Sequence, residues 1–175
     1  TSRKTYFFQN DDPENKPWTR YEHNERFHDC GLILDDDGRN WLVWNANPLY
    51  IIELNEGVTG VKPGAIRRVV IPNLHAPNPV TGVTPAGGLA EGAQFEKIDG
   101  KYYIFSINWP GGSPRSVVCH RSKALEGPWE SKVVAMEGIL YDGSSTGTDG
   151  RGGGPAQGSI VDDGKGNWWG CVFRD

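Results

Sequence analysis

Asp29, Glu91 and Gln157 each stand nine residues before a glycine that closes a turn: Gly38, Gly100 and Gly166. Each is followed within two residues by another glycine, Gly31, Gly92 or Gly158. Two carboxyls at equivalent places can divide acid and base work. One gives a proton while the other takes one or holds a charge. Gln157 adds a neutral amide, which binds but does not exchange a proton. A lone Asp or Glu is usually a solvated charge, and a buried one without a partner is costly. The shared register lifts these two above that ordinary reading.

The elements that must carry them are strands. Asp37-Gly38, Asp99-Gly100 and Asp163-Gly164 are hairpin signals, because glycine accepts the positive φ of a tight turn. An aromatic strand follows each: Trp41-Leu42-Val43-Trp44, Tyr102-Tyr103-Ile104-Phe105, and Trp168-Trp169-Gly170-Cys171-Val172-Phe173. A short apolar run precedes each, at 32–34, 93–95 and 159–161. Further strands are expected at 50–54 and 68–71, then at 116–120 and 130–135. Four short strands in about 60 residues read as a propeller blade, longer than the WD40 type.

Lys16-Pro17-Trp18 and Gly127-Pro128-Trp129 each lead into a polar strand, as a loop entering the outer strand of a blade would. The fold expected is all-β, a propeller. The chain should open near the end of one blade, cover two whole blades and stop inside a fourth. No helix is expected, and the glycine-rich stretch 141–155 reads as a loop. The first strand of each blade lines the central channel, so Asp29, Glu91 and Gln157 should converge on one cavity. An arc of two or three blades has bare sheet edges. The remaining blades are expected from the rest of the chain or from another chain.

Composition removes several classes of function. The net charge of -4 comes without a basic stripe, which excludes nucleic acid as a partner. No apolar run reaches the roughly 18 residues of a membrane-spanning helix. Cys30, Cys119 and Cys171 form no C-x-x-C pair, so they are expected to be buried thiols, not zinc or redox ligands. A secreted or periplasmic location is favoured over a cytoplasmic one, although the cysteines do not fix it. The glycines at 150–154 lack the Lys-Ser/Thr sequel of a phosphate loop. The acidic run at 35–37 lacks calcium-loop spacing and reads as turn chemistry.

From about residue 15 onward the chain resembles glycoside hydrolase family 43, five-bladed propellers of the β-xylosidase and α-L-arabinofuranosidase group. Phe27-His28-Asp29-Cys30-Gly31-Leu32 resembles the segment carrying that family's pKa-modulating aspartate. Ala86-Gly87-Gly88-Leu89-Ala90-Glu91-Gly92 resembles the segment carrying its general acid. Ile51-Ile52-Glu53-Leu54-Asn55, Arg121-Ser122-Lys123-Ala124-Leu125-Glu126-Gly127-Pro128-Trp129 and Ala156-Gln157-Gly158-Ser159-Ile160-Val161-Asp162 are similar to later family stretches, in the same order.

The resemblance implies a five-bladed propeller of which residues 1–175 supply the middle blades of a single catalytic domain, the first and last being absent. It implies an inverting hydrolase of xylo- or arabino-oligosaccharides. Glu91 would be its general acid and Asp29 the carboxylate that tunes the acid and orients substrate. The family's general base is an aspartate in an Asp-Pro motif. Asp12-Pro13 sits in a loop, so the base is expected outside this sequence. Phe27 and His28 would wall the terminal sugar, Gln157 would form a neutral wall, and Trp109 would stack on a sugar ring or pack within the blade. Trp41, Trp168 and Trp169 are expected in the core, and Arg115 at the surface. No cofactor is required, and no metal ligand is assigned. A structural calcium at the axis is compatible with the family, yet Ala156 and Gln157 stand where many relatives carry a histidine that helps hold it. Two other readings stay open: a non-catalytic carbohydrate-binding propeller, and a fructan-acting five-bladed relative.

Overall fold

The computed structural model describes residues 3–110, 115–136, 139–140 and 155–174. These residues form antiparallel sheets and no helix. The first sheet pairs β1 (Thr5–Gln9) with β2 (Thr19–His23). The second runs in order β3 (Gly31–Leu34), β4 (Asn40–Trp44), β5 (Leu49–Leu54) and β6 (Arg68–Ile71). The third runs in order β7 (Leu89–Ile98), β8 (Lys101–Trp109), β9 (Ser116–Ser122) and β10 (Glu130–Met136), with the short β11 (Ile139–Leu140) added at its edge. The fourth pairs β12 (Pro155–Asp162) with β13 (Trp168–Arg174).

Sequential strands are neighbours throughout, which is the meander of propeller blades. The three Asp-Gly signals are the turns of the β3–β4, β7–β8 and β12–β13 hairpins. Pro17-Trp18 leads into β2, which pairs with β1, and Pro128-Trp129 leads into β10, which lies between β9 and the short edge strand β11. Of the stretch 141–155, only Pro155 lies among the described residues, where it opens β12; the glycines at 150–154 fall outside them.

The second sheet is buried on both faces, and β4 shows why. Its side chains alternate between faces. Trp41 and Val43 pack with Ala90, Phe95 and Ile104 of the third sheet. Leu42 and Trp44 pack with Phe7 of the first sheet and with Phe27. A strand buried on both sides reads as a continuous apolar run, as this one does.

Inner strands meet closely. β3 packs beside β7, and β7 beside β12. A Cβ on Gly31 would strike the carbonyl oxygen of Ala93, so glycine permits the approach of β3 to β7. A polar lock reinforces this contact. Asp35, whose side chain is 1% exposed, accepts a hydrogen bond from the Tyr102 hydroxyl at 2.6 Å and forms an ion pair with Lys97. Asp35 opens the β3–β4 turn, as expected, but it also ties two sheets together.

Several expectations fail at the periphery. Trp41 is core, but Trp168 and Trp169 are 44% and 62% exposed. No third strand pairs with β13 among the described residues, and the side chains from 168 to 173 all stand exposed. Cys171 shares that exposure, Cys30 is exposed in the connection before β3, and Cys119 is half-buried; none is a fully buried thiol. Arg115, expected at the surface, is buried with its guanidinium over the Trp109 ring.

Candidate functional site

The backbone kinks at all three equivalent positions. Asp29 lies in the turn just ahead of β3 with φ of 46°, the left-handed region. The β7–β8 register slips between Glu91 and Gln94, where Gly92 has φ of 72°. The β12–β13 register slips between Pro155 and Gly158, around Gln157. Such bulges re-aim a side chain away from the plain alternation of a strand. A sheet edge that turns at the same place in successive blades presents its side chains to one space.

They do converge. One oxygen each of Asp29 and Glu91, with a ring nitrogen of His28, lie within 4.8 Å of one another. His28 Nε2 is 2.9 Å from Glu91 Oε2. The Gln157 side chain lies over Gly92, so close that a Cβ there would meet Cδ at 2.8 Å. His28, Asp29 and Glu91 keep 40%, 27% and 21% of their side chains exposed, so the cluster is open to a ligand. Its three ligand atoms are spaced closely enough to hold a cation. At the place where a relative's axial histidine is expected, Ala156 is fully buried and offers no donor, and Gln157 offers only a neutral amide.

The remaining candidates divide. Phe27, read as a sugar-facing wall, is 5% exposed. Its ring stacks on His23 at 5.0 Å and meets Trp44 edge-on at 4.8 Å. It backs the site from the core. Trp109 ends β8 opposite Leu89, two residues from Glu91, and is 52% exposed. Arg115 covers one face of its ring at 3.9 Å. Asp12-Pro13 lies in the turn between β1 and β2, where the Asp12 carboxylate accepts hydrogen bonds from Asn15.

A buried polar chain anchors the strand that carries Trp109. Asn108 donates to the Leu74 carbonyl at 3.1 Å and accepts from His75 Nδ1 at 2.5 Å. Ser106 Oγ meets His120 Nε2 at 3.0 Å, and His120 Nδ1 meets Ser131 Oγ at 2.8 Å. Burial pushes the His120 imidazole down to about 3, so it stays neutral. A separate cavity of about 310 Å³ opens at the hairpin end of the third sheet, lined by Lys101, Arg121, Ser122, Lys123 and Glu130. Arg121 is held there by Glu130 at 2.6 Å, and none of the six candidate residues lines it.

Comparison with known proteins identifies the family and the fold. The family model "Glycosyl hydrolases family 43" matches residues 1–174. A protein of Xylanibacter ruminicola named "Putative beta-xylosidase" is 34% identical over 89 residues, 51% of this chain and 15% of that protein. The "Beta-xylosidase" of Formosa agariphila is 26% identical over 93 residues, 46% of this chain and 14% of that protein. Among solved structures, a bifunctional GH43-CE protein of Bacteroides eggerthii superposes with a TM-score of 0.78 at 36% identity. That match covers 99% of this chain and 20% of the other. The chain therefore spans a fifth or less of these three relatives. An exo-1,5-alpha-L-arabinanase from a bovine ruminal metagenomic library superposes with a TM-score of 0.60 at 17% identity, covering 94% of this chain and 56% of the other, and the sheets described above are blades of the five-bladed propeller these structures share.

Proposed function

The chain belongs to glycosyl hydrolases family 43, and from that premise we propose that its parent protein hydrolyses pentosides, releasing xylose from β-xylosides or arabinose from arabinofuranosides. The observation that carries this reading is the meeting of Asp29 and Glu91, from neighbouring sheets, within 4.8 Å in an open cluster. The names of the two curated relatives favour xylose.

In this mechanism Glu91 gives its proton to the glycosidic oxygen as the bond to the sugar carbon breaks. A water adds to that carbon from the other side and surrenders its proton to a base. Asp29 holds negative charge beside the sugar as positive charge develops on it. Inverting enzymes keep acid and base about 6.5–9.5 Å apart to admit the water. Asp29 is too near Glu91 for that, so it is not the base. We assign the base to a part of the parent protein outside this chain.

The proximity of the two carboxylates also favours a second reading. Retaining pairs stand about 5–5.5 Å apart, and there Asp29 would attack the sugar directly. The anomer released first, followed by proton NMR, separates the two. Inversion of a β-xyloside gives α-xylose; retention gives β-xylose and overturns the assignment of Asp29.

The activity is tested in the full-length protein with Glu91→Gln. Turnover of xylobiose should fall about 10²- to 10⁴-fold. A nitrophenyl xyloside, which leaves without help, should suffer far less. Unchanged xylobiose turnover overturns Glu91 as donor. Sucrose hydrolysis without pentoside activity indicates a fructan-acting protein, and binding of xylo-oligosaccharide without turnover a non-catalytic propeller.

A further inference from the structure

Glu91 is not the only group in the cluster whose orientation is fixed. The imidazole of His28 has two nitrogens, and they have different partners. Nδ1 lies 3.2 Å from Arg26 Nη2. A guanidinium only donates, so Nδ1 must accept. The Asp29 carboxylate, at 3.7 Å from Nδ1, is beyond hydrogen-bonding reach. Arg26 therefore selects the neutral tautomer with its hydrogen on Nε2. That N–H points at Glu91 Oε2, 2.9 Å away.

We propose that His28, with its tautomer set by Arg26, is a positioning residue for the proton donor. It occupies Oε2 of Glu91 as a hydrogen-bond donor, so the transferable proton resides on Oε1 and faces the leaving group. The proposal rests on Glu91 as the donor. It differs from the role read in the sequence, where His28 walls the sugar.

The backbone holds His28 for this task. Its carbonyl accepts a hydrogen bond from the Asn45 amide at 2.8 Å, just beyond the end of the β3–β4 ladder. The left-handed turn at Asp29 follows at once. The imidazole of one blade is thereby set against the carboxyl of the next. A carboxyl free to rotate presents its proton to the leaving oxygen only part of the time. Fixing one oxygen removes that freedom, and misplacement by about 1 Å at such a centre costs on the order of 10²-fold in rate.

The test uses the full-length protein with two substrates, xylobiose and 4-nitrophenyl xyloside. His28→Ala should lower kcat on xylobiose about 10- to 100-fold. It should change kcat on the nitrophenyl substrate about 3-fold or less and leave KM alone, because nitrophenolate departs without a proton. His28→Gln, whose amide N–H can reach the place of Nε2, should restore most of the loss. Arg26→Ala, a change at an exposed side chain, should reproduce the same substrate pattern at about 3- to 10-fold. Equal slowing of both substrates by His28→Ala marks a merely structural residue and overturns the proposal. So does failure of His28→Gln to restore xylobiose turnover, or an Arg26→Ala protein indistinguishable from the parent. Failure of the underlying reading looks different: Glu91→Gln itself would then show no dependence on the leaving group.

Discussion

The Tyr102 hydroxyl donates to Asp35 Oδ2 at 2.6 Å, a bond that links the second sheet to the third beside the Lys97–Asp35 ion pair. Asp35 sits at the turn of the β3–β4 hairpin, and Tyr102 is the second residue of β8, just past the β7–β8 turn. The lock therefore lies at the hairpin ends of two inner strands whose other ends carry Asp29 and Glu91. Removing the hydroxyl with Tyr102→Phe takes a donor from a buried carboxylate. It should cost about 1.5–3 kcal/mol in urea unfolding.

The same carboxylate makes the fold acid-sensitive. Burial alone would raise the Asp35 carboxyl, but hydrogen bonds from Lys97, Tyr102 and the Asp36 amide outweigh it and hold it below the usual carboxylate range. A depressed folded value means that its stabilisation is complete above the unfolded carboxylate range and is lost as pH falls through the folded value. Unfolding midpoints measured below pH 4 should drop with falling pH, and Asp35→Asn should flatten that segment. A parallel slope in the variant would remove Asp35 as the cause.

His120 should act in a higher window. Its imidazole is pushed from the ordinary 6.5 down to about 3 by burial. The unfolded chain therefore binds a proton that the folded chain refuses, and stability declines as pH falls from about 6.5 toward 3. His120→Gln should remove this part of the slope while leaving the steeper loss below pH 4. Thermal midpoints across pH 3–7 separate the two residues.

Gly92→Ala should damage the site and the fold together. The residue needs φ of 72°, and an added Cβ would meet Gln157 Cδ at 2.8 Å. The left-handed conformation alone costs about 1–2 kcal/mol for a residue with a Cβ. Adding Gln157→Ala should recover the steric share of the loss but not the backbone share. Thermal unfolding of the single and double variants resolves them.

Trp109 presents one ring face, because Arg115 covers the other. If that face receives sugar, Trp109→Ala should raise KM about 2- to 10-fold with kcat little changed. An unaltered KM would show that substrate does not reach the ring.

The hairpins were legible because Asp-Gly turns are local signals. The convergence of Asp29, Glu91 and Gln157 was legible because equal counting from a turn means an equal place in a blade. Partners far apart in sequence were not. Asp35 looked like turn chemistry because Lys97 and Tyr102, more than 60 residues on, gave no local sign of their pairing. His28 looked like a pocket wall because its bond to Glu91 spans 63 residues. Phe27 lies beside the site in sequence yet faces inward, since Trp44 of the adjoining strand β4 and Phe7 of the first sheet are its packing partners. Trp168 and Trp169 carried a core-like pattern, but burial depends on what covers a face, and a two-residue alternation does not say what does.

The register slips at Glu91 and at Gln157 make neighbouring blades interchangeable seats for different chemistry. Because each kink lies in the backbone, the side chain it aims can differ between blades, glutamate at one and glutamine at the other. A ring of repeated kinks thus separates the inheritance of a scaffold from the inheritance of a reaction: one is written in glycines, the other in the single letter before each of them.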